Sequence, residues 1–275
     1  MHNLDGRVAL LTGASRGIGP LISDRLARAG LKLVLLARDR ARLEAEVARL
    51  RAAGATVIAV PGDVCDAGAQ EAALTAAEGL GGLSALINNA GVEDFGHLTD
   101  TAPETIADTV AVNLTAPLQL CRRALPALLA RDEAQIVNLA SVAGLLGTPY
   151  GATYSATKAG LIMASLSLRM ELAETRVGVT AVCPAFVHGA GMHEEAKRLV
   201  GRAPALLGST TAEATADAVL RALRDNPAEL IVNDAPLRPL VGFGRSLPGF
   251  ATWLTGRLAG PYMRKLADAR RPPGA

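Results

Sequence analysis

The chain has 275 residues, of which 50% are hydrophobic and only 3% aromatic, and its formal net charge is +2. This length suits one large domain or two small ones, with a core built mostly from Ala, Val, Leu and Ile. The small net charge argues against a nucleic-acid-binding protein. Because the cysteines are far apart and the histidines lack metal-ligand spacing, we expect buried free thiols in a cytoplasmic protein and no metal site. The first apolar run ends in glycine, so we expect no signal peptide.

Short apolar runs alternate with amphipathic stretches along the whole chain. The apolar runs predict strands at residues 7–12, 32–37, 56–61, 85–89, 135–140, 178–183 and 229–233. Most are continuously apolar, which is typical of strands buried on both faces. The pattern predicts an α/β fold with a single doubly wound, Rossmann-type domain, in which helices cover both faces of a parallel seven-stranded sheet. We place this domain at residues 1–235 and a basic helical extension at 236–275.

A glycine-rich loop, TGASRGIG, follows the first predicted strand at residues 12–19 and leads into a helix. The free N–H groups and positive dipole end of a helix suit a pyrophosphate, and glycines let the backbone approach it closely. In this β-α-β context the loop predicts a dinucleotide site, with an ordinary strand-to-helix turn as the alternative. The predicted contacts are Gly13, Ser15, Arg16, Gly17, Ile18 and Gly19.

The end of the second strand bears on the choice of cofactor. NAD sites of this kind place an acid there to hold the ribose hydroxyls, whereas this chain has Ala37 followed by Arg38. Together with Arg16, a second guanidinium group suits a 2′-phosphate better than a bare hydroxyl. We therefore expect NADPH/NADP+ rather than NADH; the alternative is that Arg38 is solvated and binds no ligand.

Two further motifs end the third and fourth strands, at the sheet edge where ligands bind in folds of this kind. In GDV, the Asp63 carboxylate can accept from an adenine amino group and the Val64 N–H can donate to the ring. In NNAG, the predicted cofactor contacts are Asn89, Ala90 and Gly91.

Four polar residues form the candidate catalytic group. Tyr154 and Lys158 are four apart and so share one helix face, although two unrelated polar residues on a helix surface would look the same. Ser141 ends the fifth strand, and the loop after it can bring its hydroxyl beside Tyr154. Asn113 lies in an apolar helical stretch where a buried amide needs partners, which a water chain towards Lys158 would supply.

In this order and spacing the motifs resemble the short-chain dehydrogenase/reductase family over about residues 5–235. The resemblance implies that Tyr154 exchanges a proton with the substrate oxygen and that Ser141 hydrogen-bonds this oxygen. It implies that Lys158 holds the nicotinamide ribose and favours tyrosinate, while Asn113 anchors a relay water. Tyr154 and Lys158 are therefore also predicted cofactor contacts. The family further implies a homo-oligomer, either a dimer or a tetramer.

The segment after the sixth strand departs from the family pattern. Where the family reads P-G-x-V-x-T, this chain reads PAFVHG at residues 184–189. Pro184 and Val187 stay as predicted cofactor contacts, but Gly189 replaces the threonine that would touch the nicotinamide carboxamide. His188 is either a substitute donor or an exposed loop residue. Residues 188–208 occupy the place of the family's substrate lid.

The tail, residues 236–275, goes beyond the family's usual end. It carries seven Arg or Lys residues, one acid (Asp268) and the single tryptophan, Trp253. Helices are predicted at 248–258 and 261–270, because proline is favoured in a first helical turn. Three roles stay open: an interfacial segment on an anionic membrane, an arm against a neighbouring subunit, or a cover over the protein's own substrate cleft.

We therefore expect an NADP(H)-dependent oxidoreductase that interconverts a ketone or aldehyde and an alcohol, acting on an apolar or lipid-like small molecule. The alternatives are a β-ketoacyl thioester reductase and, in a different class, a non-catalytic NADPH-binding sensor. No nucleic-acid partner is expected, and peripheral membrane contact through the tail is the one further location considered.

Overall fold

The computed structural model describes residues 1–189, 192–201, 208–234 and 238–271. The strands are β1 (Val8–Thr12), β2 (Lys32–Ala37), β3 (Val57–Pro61), β4 (Leu83–Asn88), β5 (Ala134–Leu139), β6 (Val177–Pro184), β7 (Phe186–His188), β8 (Ser209–Thr211) and β9 (Glu229–Val232). Seven of them form one parallel sheet in the order β3-β2-β1-β4-β5-β6-β9. These are the seven predicted strands, so the doubly wound fold is confirmed. A separate parallel pair joins β7 to β8.

Eleven helices lie in the described parts of the chain. They are α1 (Gly19–Arg28), α2 (Arg40–Ala52), α3 (Ala67–Gly79), α4 (Pro103–Val110), α5 (Ala116–Leu129), α6 (Ala143–Leu146), α7 (Ala152–Glu171), α8 (Met192–Val200), α9 (Ala212–Asp225), α10 (Arg238–Ser246) and α11 (Pro248–Ala269). None of them, over these described ranges, is long and apolar enough to cross a membrane.

The core lies in two layers, one on each face of the sheet. Along β1 the side chains alternate between them: Ala9 and Leu11 pack with α1, α2 and α9, whereas Val8 and Leu10 pack with α3 and α5. Successive strand residues point to opposite faces, so a strand buried on both sides is apolar at most of its positions. All five residues of β1 are buried, which explains why its sequence shows no polar alternation.

The sheet creates a ligand crevice beside β1. Its neighbours are β2 on one side and β4 on the other, and the chain reverses its direction of winding between them. At such a point the loops leaving the carboxyl ends of the strands part and open a crevice. The glycine loop after β1 and the NNAG motif after β4 both border it.

The predicted helical stretch 103–129 contains an irregular turn. Between α4 and α5, residues Ala111–Thr115 form a π-helical turn, and the Ala116 N–H donates to the Ala111 carbonyl five residues earlier. Such widened turns are rare and occur frequently at functional sites. Asn113 lies in this turn and is 0% exposed.

The tail differs from its predicted form. Instead of two helices that meet at Pro261, α11 runs unbroken past this residue. Proline removes one helical hydrogen bond, but Pro261 is exposed, and the next turn buries Tyr262, Met263 and Leu266 against the body. This apolar contact favours one continuous helix. The predicted boundary at residue 235 lies outside the described residues.

The cysteines are free thiols, as expected, but they are not all buried. Cys121 and Cys183 lie in the interior, whereas Cys65 is exposed after β3. The expectation of burial is therefore wrong for Cys65, which lies in the loop between β3 and α3, directly before the N-cap residue Asp66.

Candidate active site

A cavity of about 860 Å³ opens at the carboxyl ends of the strands and extends under the tail. Of the predicted cofactor contacts, the residues that line it are Gly13, Ser15, Arg16, Gly17, Ile18, Arg38, Asp63, Val64, Asn89, Ala90, Gly91, Tyr154, Lys158, Pro184 and Val187. Gly19 does not line the cavity. Of the predicted catalytic residues, Ser141, Tyr154 and Lys158 share the cavity, and Asn113 is buried next to it.

The glycine loop has no space for a side chain at Gly13 or Gly19. Gly13 adopts φ +68°, and a Cβ there would lie 2.8 Å from the Ala90 Cα. A Cβ on Gly19 would collide with the Gly13 carbonyl oxygen. At the start of α1, Ile18 gives no side-chain cap and the first turn holds no acid. The positive helix end is therefore available to a pyrophosphate, and the residues present fit a dinucleotide.

The NNAG motif ties the two central strands together. The Thr12 hydroxyl accepts from the Asn89 and Ala90 N–H groups, both at 3.0 Å. The Asn89 carboxamide nitrogen donates to the Thr12 carbonyl at 2.9 Å and to the Gly13 carbonyl at 3.1 Å. These bonds hold the glycine loop against the end of β4, so the Asn89 side chain shapes the cradle.

Three arginines line the cavity near the ends of β1 and β2: Arg16, Arg38 and Arg42. Arg38 lies 3.7 Å from an Asp63 oxygen in an exposed pair, and the second Asp63 oxygen accepts from the Cys65 N–H at 2.8 Å. The sequence analysis missed Arg42. It lies in the first turn of α2, where its Nε is 3.2 Å from an Asp39 oxygen, whereas Arg38 precedes the helix, so no helical spacing links the two in the sequence.

Tyr154 is positioned by the start of α7. Its side chain is 8% exposed, it packs on Phe95 with ring centroids 5.3 Å apart, and its backbone N–H donates to Asp94. Burial and the negative charges of Glu93 and Asp94 raise the pKa of the phenol, while a hydrogen bond with Ser141 opposes this rise. Tyr154 is thus a protonated group next to a hydroxyl partner. The acids at 93 and 94 are a second feature that the sequence analysis missed.

Lys158 lies one turn further on, 4% exposed, and its ammonium donates to the Leu139 carbonyl at 2.9 Å. Its Nζ is 5.7 Å from the centre of the Tyr154 ring. Burial lowers the pKa of Lys158 to about 8. Both groups are desolvated, so burial drives each towards its neutral form. The expectation that this lysine favours tyrosinate stays a prediction.

Asn113 finds its partners in the protein. Its carboxamide oxygen accepts from the Val92 N–H at 2.9 Å, and its nitrogen donates to the Val92 carbonyl at 2.8 Å and to Thr157 at 3.3 Å. The expected water chain is therefore not what satisfies this amide. A Cβ on Gly91 would lie 3.3 Å from the Asn113 oxygen and 3.6 Å from the Lys158 nitrogen, so the glycine is what lets these groups come close.

The segment after β6 is fixed by β7, whose Val187 pairs with Thr210 of β8. His188 belongs to this strand and is half-buried, so the expectation of an exposed loop histidine is wrong. Val187 faces the cavity. In the predicted lid region, α8 contributes Ala196 and Arg198 to the wall, and residues 190–191 and 202–207 lie outside the described chain.

The part of the cavity under the tail is apolar, and residues of the tail form it. α10 and α11 contribute Phe243, Phe250, Leu254 and Leu258, opposite Leu146 of α6. An ion pair of 2.6 Å joins Arg270 at the end of α11 to Glu93 beside Tyr154. The tail therefore covers the cleft, which is one of its three predicted roles.

The comparison with protein families decides the class of the molecule. The sequence model of the short chain dehydrogenase family matches residues 7–199. The chain belongs to this family. As a short-chain dehydrogenase it is an oxidoreductase, and the predicted resemblance is confirmed.

Relatives of this short-chain dehydrogenase include several ketoacyl reductases. The ketoacyl reductase HetN of Nostoc sp. is 37% identical over 238 residues, which cover 86% of this chain and 82% of the relative. A putative ketoacyl reductase of Streptomyces coelicolor is 38% identical over 68% of this chain and 73% of its own.

A similar fold is found in solved ketoreductases. A variant of actinorhodin polyketide ketoreductase crystallised with NADPH has a TM-score of 0.74 and 31% identity, covering 84% of this chain and 97% of that one. A 3-ketoacyl-(acyl-carrier-protein) reductase from Brucella melitensis, in complex with NADH, has a TM-score of 0.74 and 26% identity over 84% of this chain and 98% of that one. The shared fold leaves the choice between the two cofactors to the residues themselves.

Proposed function

We propose that this short-chain dehydrogenase reduces the keto group of an apolar ketoacyl compound, using NADPH. The observation that carries the proposal is the position of Tyr154. Its buried, protonated phenol is hydrogen-bonded to Ser141, between the part of the cavity lined by the glycine loop and arginines and the apolar part under the tail. The ketoacyl relatives favour the thioester alternative over simple carbonyl compounds.

A nicotinamide held in the cradle would supply the hydride, and the chain supplies position and a proton. The Ser141 hydroxyl can hydrogen-bond the substrate's keto oxygen beside Tyr154. As negative charge develops on this oxygen, the phenol donates its proton to it. The phenol is protonated at neutral pH and can therefore act as the donor in this direction.

Lys158 acts on the other side of Tyr154. Its ammonium, anchored on the Leu139 carbonyl, is placed to donate to ribose hydroxyls. A dinucleotide bound here would bring phosphate charge near the site and would favour the charged form of the lysine. Asn113 supports this arrangement through Val92, behind Gly91.

The preference for NADPH is supported by charge. Arg16, Arg38 and Arg42 border one end of the cavity, and Ala37 stands where an acid would hold a ribose. Guanidinium groups bind phosphates in paired, directional hydrogen bonds. Asp63 keeps Arg38 near the cavity.

A substrate panel tests the proposal. Purified protein is mixed with ketoacyl thioesters, simple ketones and secondary alcohols, and the nicotinamide absorbance is followed with NADPH, NADH and their oxidised forms. We expect the highest kcat/KM for a ketoacyl thioester with NADPH. Tight NADPH binding without turnover on any of these compounds would instead support the alternative of a non-catalytic sensor.

The remaining parts of the proposal concern place and assembly. We propose a cytoplasmic homo-oligomer, a dimer or a tetramer, that contacts membranes peripherally through exposed aromatic residues of the tail: Phe243, Phe250 and Trp253. A sizing column and co-sedimentation with anionic vesicles test these two points. Elution as a monomer would contradict the proposed oligomer. Protein that stays in the supernatant with vesicles would contradict the proposed membrane contact.

A further inference from the structure

We propose that one face of α11 is a binding site for a straight alkyl chain, which this face guides from the cavity mouth towards Tyr154. The proposal deepens the proposed function, since it names the chemical class of the substrate's remote part.

The first observation is the spacing of the residues that line the cavity. Phe250, Leu254 and Leu258 are four apart on α11, and each has a cavity-lining neighbour at the next position: Ala251, Thr255 and Ala259. Positions four apart stack along a single helix face. The face is thus a continuous and mainly apolar stripe on which large and small side chains alternate.

The second observation is that the stripe has a defined inner and outer end. At the inner end, Ala259 belongs to the same buried cluster as Tyr154 and Phe95. At the outer end, Phe250 is 46% exposed and packs on Phe243, with ring centroids 5.7 Å apart. A ligand that follows the stripe therefore runs from solvent to the candidate catalytic phenol.

The third observation is that the opposite wall is close and fixed. α10 packs against both α6 and α11 at Gly244, where a Cβ would lie 2.8 Å from Leu146 and 3.2 Å from Ala251. A glycine is needed for this approach, and it narrows the space that α11 faces. A narrow apolar passage fits a linear chain better than a broad ring system.

The length of the stripe sets the length of chain. From Phe250 to Leu258 the helix advances by about 12 Å. An extended chain advances about 1.2 Å per bond, which corresponds to on the order of ten carbons. Each buried methylene strengthens binding by about 0.8 kcal/mol, or roughly fourfold in Kd.

Trp253 makes this site measurable without turnover. It is the only tryptophan of the chain, and its ring centre lies 5.7 Å from that of Phe250. The full-length protein is titrated with butanol, hexanol, octanol and decanol while the tryptophan emission is recorded. We expect the Kd to fall about fourfold per added methylene, and Leu254→Gln to weaken this dependence.

Leu199→Gln is the matched control, because Leu199 is an apolar residue of the same cover, 48% exposed and on α8. We expect it to leave the alcohol series unchanged. Equal Kd values for butanol and decanol in the wild-type protein would overturn the proposal, and so would an equal effect of the two substitutions. The wild-type series decides the question even if Leu254→Gln does not fold.

The outcome is separable from that of the proposed function. The alcohols carry no keto group, so their binding does not require the reductase chemistry. Chain-length-dependent binding without reduction of any ketoacyl thioester would leave the alkyl site standing and would remove the reductase. Reduction of ketoacyl thioesters with kcat/KM values independent of chain length would support the reductase and would remove the alkyl site.

Discussion

The chemistry of the candidate site depends on two buried titratable side chains that respond to burial in opposite directions. Desolvation raises the pKa of Tyr154 and lowers that of Lys158 to about 8, so each tends towards its neutral form. The two shifts have different consequences for a reductase. The phenol retains the proton it must donate, whereas the lysine keeps its charge only below about pH 8.

The pH dependence of reduction follows from these signs. Because kcat/KM for NADPH reports groups of the free enzyme, it should fall as the pH rises through about 8 and Lys158 loses its proton. Tyr154 stays protonated across this range. In Lys158→Arg the activity should be lower but should lack this fall, since a guanidinium stays charged. Parallel profiles for the two proteins would assign the fall to another group.

The arginines that line the cavity, Arg38 and Arg42, should affect the affinity for NADPH more than that for NADH. Arg38→Gln and Arg42→Gln should each raise the Kd for NADPH about tenfold or more, the worth of a lost charge-assisted hydrogen bond, with little change for NADH. Arg40→Gln is the control, because Arg40 is as exposed as Arg42 and is also ion-paired but does not line the cavity. Calorimetric titration with both cofactors measures the ratio. If Arg40 matters as much as Arg42, general charge explains the effect and no phosphate site is present.

At the level of single residues, the sequence could predict those that belong to compact motifs. Ser141, Tyr154 and Lys158 could be placed together because a strand end and one helical turn fix their spacing. Glu93 and Arg42 could not, since each lies just outside a motif and its relevance depends on which way a loop or helix turns in three dimensions. The pKa of Lys158 depends on burial by distant elements, which no local pattern records.

Among the elements, the π-helical turn between α4 and α5 gives Asn113 its role. It places the amide against Val92, so that one side chain satisfies both backbone groups of this residue. The loop after β4 is thereby fixed to the helix pair. We interpret Asn113 as a positioning residue for the cavity wall near Lys158.

Asn113→Ala should therefore affect both stability and catalysis. Two backbone groups of Val92 lose their partner, and each buried unsatisfied group costs about 1–3 kcal/mol. We expect a loss of about 2 kcal/mol or more in urea unfolding, together with a lower kcat. Leu118→Ala, at a partly exposed position of the neighbouring α5, should change the free energy of unfolding by less than about 0.5 kcal/mol. Unfolding of Asn113→Ala at the wild-type midpoint would contradict this interpretation.

The strands were predictable because parallel strands buried on both faces are apolar at most positions. The helices of the tail were not, since a proline suggests a break by local rules. In α11 the buried contacts of Tyr262 and Met263 outweigh the bond lost at Pro261. Tertiary packing decided the outcome, and the sequence pattern alone could not show what the tail packs against.

For the molecule as a whole, the tail completes the cavity that the sheet begins. Charged contacts fasten the end of α11 to the loop after β4: Arg270 with Glu93, Asp268 with His97 and Arg271 with Asp100. The basic character of the tail is thus partly used within the protein. The roles in membrane or subunit contact remain predictions that concern its outer surface.

Loosening this attachment should affect the substrate more than the cofactor. Arg270→Gln removes the 2.6 Å pair with Glu93, whose side chain is 13% exposed. We expect KM for the ketone to rise several-fold while the Kd for NADPH stays constant. Arg271→Gln breaks a more exposed pair and should have a smaller effect. Equal effects on ketone and cofactor would mean that α11 supports the whole fold instead of the substrate end.

The central claim is that Tyr154 delivers the proton in an NADPH-dependent reduction, and Tyr154→Phe tests it most directly. The substitution removes only the hydroxyl, so the packing on Phe95 is kept. Single-turnover mixing of ketoacyl thioester with the NADPH-loaded protein measures the loss of nicotinamide absorbance, and titration measures the Kd for NADPH. We expect reduction to fall by two or more orders of magnitude, in keeping with the roughly 10²–10⁴-fold contribution of a positioned acid, while the Kd for NADPH stays unchanged. Reduction at near the wild-type rate would contradict this claim.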